Sequence, residues 1–118
     1  MAAKDAVGAY GERVAVRHLE AGGMVVLDRN WRCRDGEIDI IARDGDALVF
    51  CEVKTRSGSG FGSPAEAVVP AKARRLRKLA LLWLADSGVH PPELRFDVVA
   101  VSRSRRGAAS VEHLRGVL

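Results

Sequence analysis

The stretch GEIDIIARDGDALVFCEVKTR, residues 36–56, places Glu37, Asp39 and Glu52 inside two runs of β-branched and apolar residues, with Lys54 close behind. Strand side chains alternate, so Glu37, Asp39 and Ile41 are expected on one face of the first run and Ile38 and Ile40 on the other. In the second run Glu52 and Lys54 share a face with Leu48 and Phe50, while Val49, Cys51 and Val53 take the opposite side. Apolar residues on both faces mark interior strands, covered on either side. In that setting an unpaired carboxylate costs several kcal/mol or takes up a proton.

A salt bridge between Glu52 and Lys54 would account for one acid, but two carboxylates on adjacent strands repel unless a cation lies between them. A divalent ion meets that need. Magnesium favours hard oxygen donors, which Asp39, Glu52 and the backbone carbonyl of Val53 could supply. Glu12 adds a separate hint: at ~100° per residue, Gly8, Ala15, Val16 and Leu19 fall within about 60° of it, so an acid occupies the middle of a helical apolar stripe. Such an acid is paired or drawn to a cation, and the small Gly8 is expected to let that helix approach the sheet closely.

Lys72 is the reverse case. It lies in the first turn of a second helix, where the helix dipole disfavours a cation by a few tenths of a kcal/mol, yet it aligns with the inward Leu76, Leu79 and Trp83. Nearby acids or a phosphate would offset that cost; equally, its stem could pack while the amine reaches water. Asp97 shares its side of the pleat with Arg95, and pairing with Arg95 is expected ahead of a supporting role in the site.

These side chains need elements to hold them. Residues 5 to about 21 have helical spacing and finish at Gly22-Gly23; MVVLDRN, residues 24–30, reads as a strand. GEIDIIA and ALVFCEVKTR flank Arg43-Asp44-Gly45-Asp46, whose Asp-Gly step signals a hairpin of antiparallel neighbours. SGSGFGS, residues 57–63, reads as a loop, and Ser63-Pro64-Ala65-Glu66 has the capping-box pattern with proline at the first helical position. Pro70 restarts a helix that should run from about 70 to 87 and stop at Gly88. LRFDVVAVS, residues 94–102, is a further strand, and SVEHLRGV supplies a short edge strand after the basic connection SRSRRGAAS. The order α-β-β-β-α-β-(β) predicts an α/β or α+β layer fold, a small mixed sheet with helices packed on it.

With 118 residues, 47% of them hydrophobic, one domain spanning residues 1–118 is expected, residues 102–118 forming its basic connection and C-terminal edge. No apolar run approaches the ~18 residues of a membrane span, and MAAKDAVGAYGE lacks a secretory apolar segment, so a soluble cytoplasmic protein is expected. Cys33 and Cys51 fit neither a zinc knuckle nor a disulfide framework and read as small buried or half-buried residues. The net charge of +4, gathered in RNWRCR, KARRLRK and SRSRR, suits a polyanionic partner.

Asp39, then Glu52-Val53-Lys54 after a hairpin, with Glu12 on a preceding helix, resembles the PD-(D/E)xK nuclease constellation. The E-x-K triplet alone arises constantly by chance; the ordered set on matching elements is far more specific. The fuller pattern of GE at 11–12, NWR at 30–32, GEIDIIA at 36–42, VFCEVKTR at 49–56, FG at 61–62, Lys72 and RFDVVAV at 95–101 is similar to the YraN-like family of bacterial predicted endonucleases. That family is itself similar to archaeal Holliday junction resolvases. The likeness runs from about Gly8 to Val101. Ile38 stands where the motif has its proline, and Cys51 where an aliphatic residue is usual; neither change removes a ligand.

This resemblance implies a restriction-endonuclease-like core and cleavage of DNA, including branched or junction DNA. It implies Mg2+ or Mn2+ held by Asp39 and Glu52, with Glu12 as a further ligand, and Lys54 orienting water or neutralising phosphate charge. Glu37 is a supporting candidate. Arg56, Lys72, Arg74 and Arg75 would grip phosphates, the GSGFG loop would close over the duplex, and a homodimer would suit symmetric cutting of two strands. Two rival readings are a non-catalytic nucleic-acid-binding module on the same scaffold and an RNA-directed nuclease.

Overall fold

The computed structural model describes residues 3–57, 66, 68–103 and 107–118. The glycine-rich stretch at 58–63, the Ser63-Pro64-Ala65 part of the capping box, and Ser104, Arg105 and Arg106 lie outside the described residues. Helix α1 spans Ala3–Ala21, followed by strands β1 (Val25–Cys33), β2 (Gly36–Asp44) and β3 (Ala47–Ser57); helix α2 (Pro70–Ser87) then precedes β4 (Glu93–Arg103) and β5 (Ser110–Leu114).

The punctuation expected from the sequence fixes these boundaries. The N–H groups of Gly22, Gly23 and Met24 bond back to the carbonyls of His18, Glu20 and Leu19 and close α1. Pro70 opens α2, and Gly88, in the left-handed conformation, ends it by donating to the Leu84 carbonyl. Asp44 pairs with Ala47, leaving Gly45 and Asp46 as a two-residue turn whose first position has a φ of +60°. β1 is longer than the expected 24–30 and takes in Trp31, Arg32 and Cys33.

The five strands form one sheet in the order β1-β2-β3-β4-β5. Only β3 and β4 are parallel, and the long connection that carries α2 links them. The result is a small mixed sheet with two helices, an α+β fold consistent with a restriction-endonuclease-like core. No helix among the described residues is long and apolar enough to cross a membrane.

Each helix covers one face. On the α2 side Phe50 packs edge-on to Trp83 and stacks on Phe96, with Ile38, Ile41, Leu76 and Leu79 around them. On the α1 side Ala15, Val16 and Leu19 meet Ile40, Val49, Cys51 and Val99. β3 is therefore apolar on both faces, as expected of an interior strand.

One expected alternation fails. Ile38 and Ile40 do not share a face: Ile38 joins the α2-side core and Ile40 the α1-side core, while Ile41 sides with Ile38 rather than with the acids. The strand turns over at Asp39. Opposite it, between the pairs Arg29↔Ile40 and Trp31↔Ile38, stands Asn30 with a φ of +52°, the one non-glycine positive φ among the described residues.

Candidate active site

The pairing of β2 with β3 ends at Ile40↔Cys51. Beyond that point β2 stays paired with β1 as far as Gly36↔Cys33, and β3 stays paired with β4 as far as Ser57↔Arg103. A fork opens between the middle strands, and the acids flank it. Asp39 sits on one prong and reaches across to accept a 2.8 Å hydrogen bond from the Val53 N–H on the other. Glu52 and Lys54 lie on that second prong.

The fork forms the floor of an open cavity of about 900 Å3, with α1 as its far wall. Glu12, Asp39, Glu52 and Lys54 all line it, together with Glu37, Asn30 and Arg32. Helix α1 is brought in by Gly11: a side chain there would place its Cβ 2.8 Å from Thr55 Cβ on β3, so only glycine permits the contact. The close approach expected at Gly8 is made at Gly11 instead. At Gly8 a Cβ would meet nothing within 4 Å, because that residue borders the open cavity instead.

Charge is concentrated here without full compensation. Burial pushes the Asp39 carboxyl up to about 7; the Val53 N–H opposes that rise, and the neighbouring Glu52, Glu12 and Glu37 add to it. Burial likewise raises Glu12, helped by Glu37 and opposed by Arg29, Asn30 and Arg32. With its amide nitrogen turned toward Glu12, Asn30 donates to both carboxylate oxygens, at 3.0 Å to Oε2. The left-handed backbone at Asn30 is what aims that amide across the cavity, and asparagine tolerates this conformation better than most residues.

The donor set suits a hard divalent cation: four carboxylates line one cavity, and two of them, Glu12 and Asp39, are raised first by burial. It is not pre-assembled. Among the described residues, no three His, Cys, Asp or Glu side chains stand together as a ready group of metal ligands.

Residues 11–101 match the family described as "Uncharacterised protein family UPF0102". The chain belongs to this family. A UPF0102 protein of Beutenbergia cavernae is 65% identical over 117 residues, covering 99% of each chain. UPF0102 proteins of Frankia alni and Kineococcus radiotolerans are 64% and 63% identical over 116 residues, covering 98% of this chain and 97% and 95% of theirs. The YraN-like part of the sequence resemblance is thereby met. The matched span begins at the Gly11 contact and takes in Glu12 and both prongs of the fork.

The other candidates separate from the cavity. Lys72 is half-buried and Arg74 exposed on α2, which packs on the opposite face from α1, and neither lines the cavity. Arg56 is half-buried on β3, also outside the cavity wall. Arg75 alone of the basic candidates on α2 borders a hollow that adjoins the cavity.

Asp97 does not line the cavity. It is fully buried and paired as expected with Arg95, through Nε at 3.0 Å and Nη2 at 3.0 Å. His113 Nε2 lies 2.7 Å from its Oδ2, and the Gly116 N–H donates to Oδ1 at 2.9 Å. Arg95 also reaches Asp44 at 2.9 Å. This network ties the C-terminal tail to β4. Sequence reasoning missed Asn30, Arg32 and Gly11; NWR and GE were quoted as pattern, but nothing local showed that Asn30 would turn over or that Gly11 would touch β3.

Proposed function

We propose that this UPF0102 protein is a metal-dependent nuclease of the PD-(D/E)xK type that hydrolyses DNA phosphodiester bonds, with branched or junction DNA as the expected substrate. One observation carries the reading: Asp39, Glu52 and Lys54 meet Glu12 around a single cavity where two strands separate. Asp39, Glu52 and Glu12, with the Val53 carbonyl, would hold Mg2+ or Mn2+. When bound, such an ion polarises the scissile phosphate and lowers the pKa of a bound water.

The protein's own groups do the remaining work. The Val53 N–H fixes Asp39, and Asn30 fixes Glu12, so both carboxylates face the cavity. Lys54, exposed at its mouth, orients the attacking water or donates to a phosphate oxygen as charge grows there. Two copies related by a twofold axis would cut paired strands symmetrically.

The test is an assay of purified protein with Mn2+ on branched DNA, linear DNA and RNA. Branched DNA should be nicked, and Glu52→Ala should abolish cutting while retaining binding. Undiminished cutting by that variant would remove the proposed site. Binding without cutting on any substrate would favour a non-catalytic module, and cutting confined to RNA would favour an RNA-directed enzyme.

A further inference from the structure

The geometry points to a second phosphate-binding site at the tip of the β1–β2 hairpin, where Arg32 and Arg75 hold the backbone of the DNA strand that continues out of the acidic cavity. Arg32 takes this role by exchanging its Glu37 partner for a phosphate. The inference rests on the nuclease reading and deepens it by naming the path of the substrate.

Two adjoining hollows carry it. The acidic cavity meets a second hollow of about 540 Å3, and the wall common to both is Arg32 and Glu37; Cys33, Gly36 and Arg75 complete the second. Arg32 and Glu37 are direct cross-strand partners, so their ion pair is the ridge between the hollows. Trp31 and Ile38, the next residues toward the cavity, point into the α2-side core, and Arg75 rises from α2 on that side. A strand leaving the cavity over the hairpin tip passes from one arginine to the other.

The charges order that path. Inside the cavity Glu12, Asp39 and Glu52 repel a phosphate that lacks a cation, whereas at the tip two guanidinium groups offer the planar fork that matches phosphate oxygens. The pair now holding Arg32 is weak. Its Nε stands 3.0 Å from Glu37 Oε2, but the side chains are 76% and 49% exposed, and so solvated a bridge contributes little. A phosphate can displace it at little cost. Lys78, also on α2, stands 3.6 Å from Asp35 at the same hairpin tip, so this end of α2 lies beside the tip.

Fluorescence anisotropy with a labelled DNA duplex in EDTA tests the site without any cutting. Arg32→Gln with Arg75→Gln should weaken binding roughly tenfold and lower the slope of log K against log salt by about two. Glu37→Gln should tighten binding severalfold by releasing Arg32, and that gain should vanish in an Arg32→Gln background. Arg43→Gln, at the opposite end of β2, makes the same charge change away from the tip and should cost clearly less than Arg32→Gln.

Equal gains from Glu37→Gln in both backgrounds, or an equal loss from Arg43→Gln, would reduce the effect to net charge and overturn the site. Coupled binding by a protein that never cuts with Mn2+ leaves the phosphate site standing and removes the enzymatic reading. Cutting without the coupling removes the phosphate site alone.

Discussion

Replacing Asp39 by asparagine should make the protein more stable at alkaline pH when no metal is present, an unusual sign for a substitution beside the centre of a sheet. The carboxyl is raised from an ordinary 3.8 to about 7. Below about pH 4 it is protonated in both folded and unfolded chains and costs nothing. Between there and about 7 the unfolded chain releases its proton first, so the wild type loses stability as pH rises; above about 7 the loss is complete and constant. The full displacement corresponds to about 4 kcal/mol, and partial solvent exposure reduces it to roughly 2–4 kcal/mol. Asparagine keeps an acceptor for the Val53 N–H but carries no charge, so the variant lacks the decline. Urea unfolding in EDTA at several pH values measures the difference directly. A difference that stays flat from about pH 4 to about pH 8, or a variant less stable than wild type at the upper end, would refute the claim that burial and the neighbouring acids disfavour the charged carboxylate.

Gly11→Ala forces a Cβ against Thr55 and should lower stability by about 1–3 kcal/mol in thermal or denaturant unfolding. Asn30→Gly keeps the left-handed backbone but loses the amide, while Asn30→Asp sets a second carboxylate against Glu12; melting temperature near neutral pH should fall in the order wild type, glycine variant, aspartate variant. Asp97 differs in pH dependence: burial pushes its carboxyl up, but hydrogen bonds from His113, Arg95 and the Gly116 N–H outweigh that and hold it below the usual range. Its stabilisation is therefore present above its unfolded value of 3.8 and is lost as acid titrates the folded carboxylate. Asp97→Asn should cost about 3–5 kcal/mol at neutral pH and flatten the acid limb of the stability curve.

How far the sequence disclosed this molecule depended on whether the deciding interaction was local. Helix ends written as Gly22-Gly23, Pro70 and Gly88 act within a turn of chain, and each falls where expected. The hairpin around Gly45 and the edge strand β5 are equally local. The acid cluster was also readable, because carboxylates on strands apolar on both faces are costly whatever the topology. What escaped was set by distant partners. Asn30 enters the site only because Glu12, from a helix well before it in sequence, faces its amide, and Gly11 matters only because Thr55 passes beneath it. Lys72 misled for the converse reason: inward on its helix did not mean toward the site, since α2 covers the other face of the sheet.

Two aspartates beside one cysteine show why burial alone does not mark a functional acid. Asp97 pairs in register with Cys51 on one side of β3, and Asp39 immediately precedes Ile40, the partner of Cys51 on the other. Asp97 is wholly buried, yet Arg95, His113 and the Gly116 N–H surround it, and its pKa is lowered; it is a structural tie. Asp39 is less buried, accepts its hydrogen bond from Val53, and is raised by burial first and by three neighbouring carboxylates in addition. A sheet able to surround one aspartate with a guanidinium and further hydrogen-bonding groups leaves the other beside like charges. A proton or a cation would relieve that charge, which makes the raised acid, and not the deeply buried one, the place to look for chemistry.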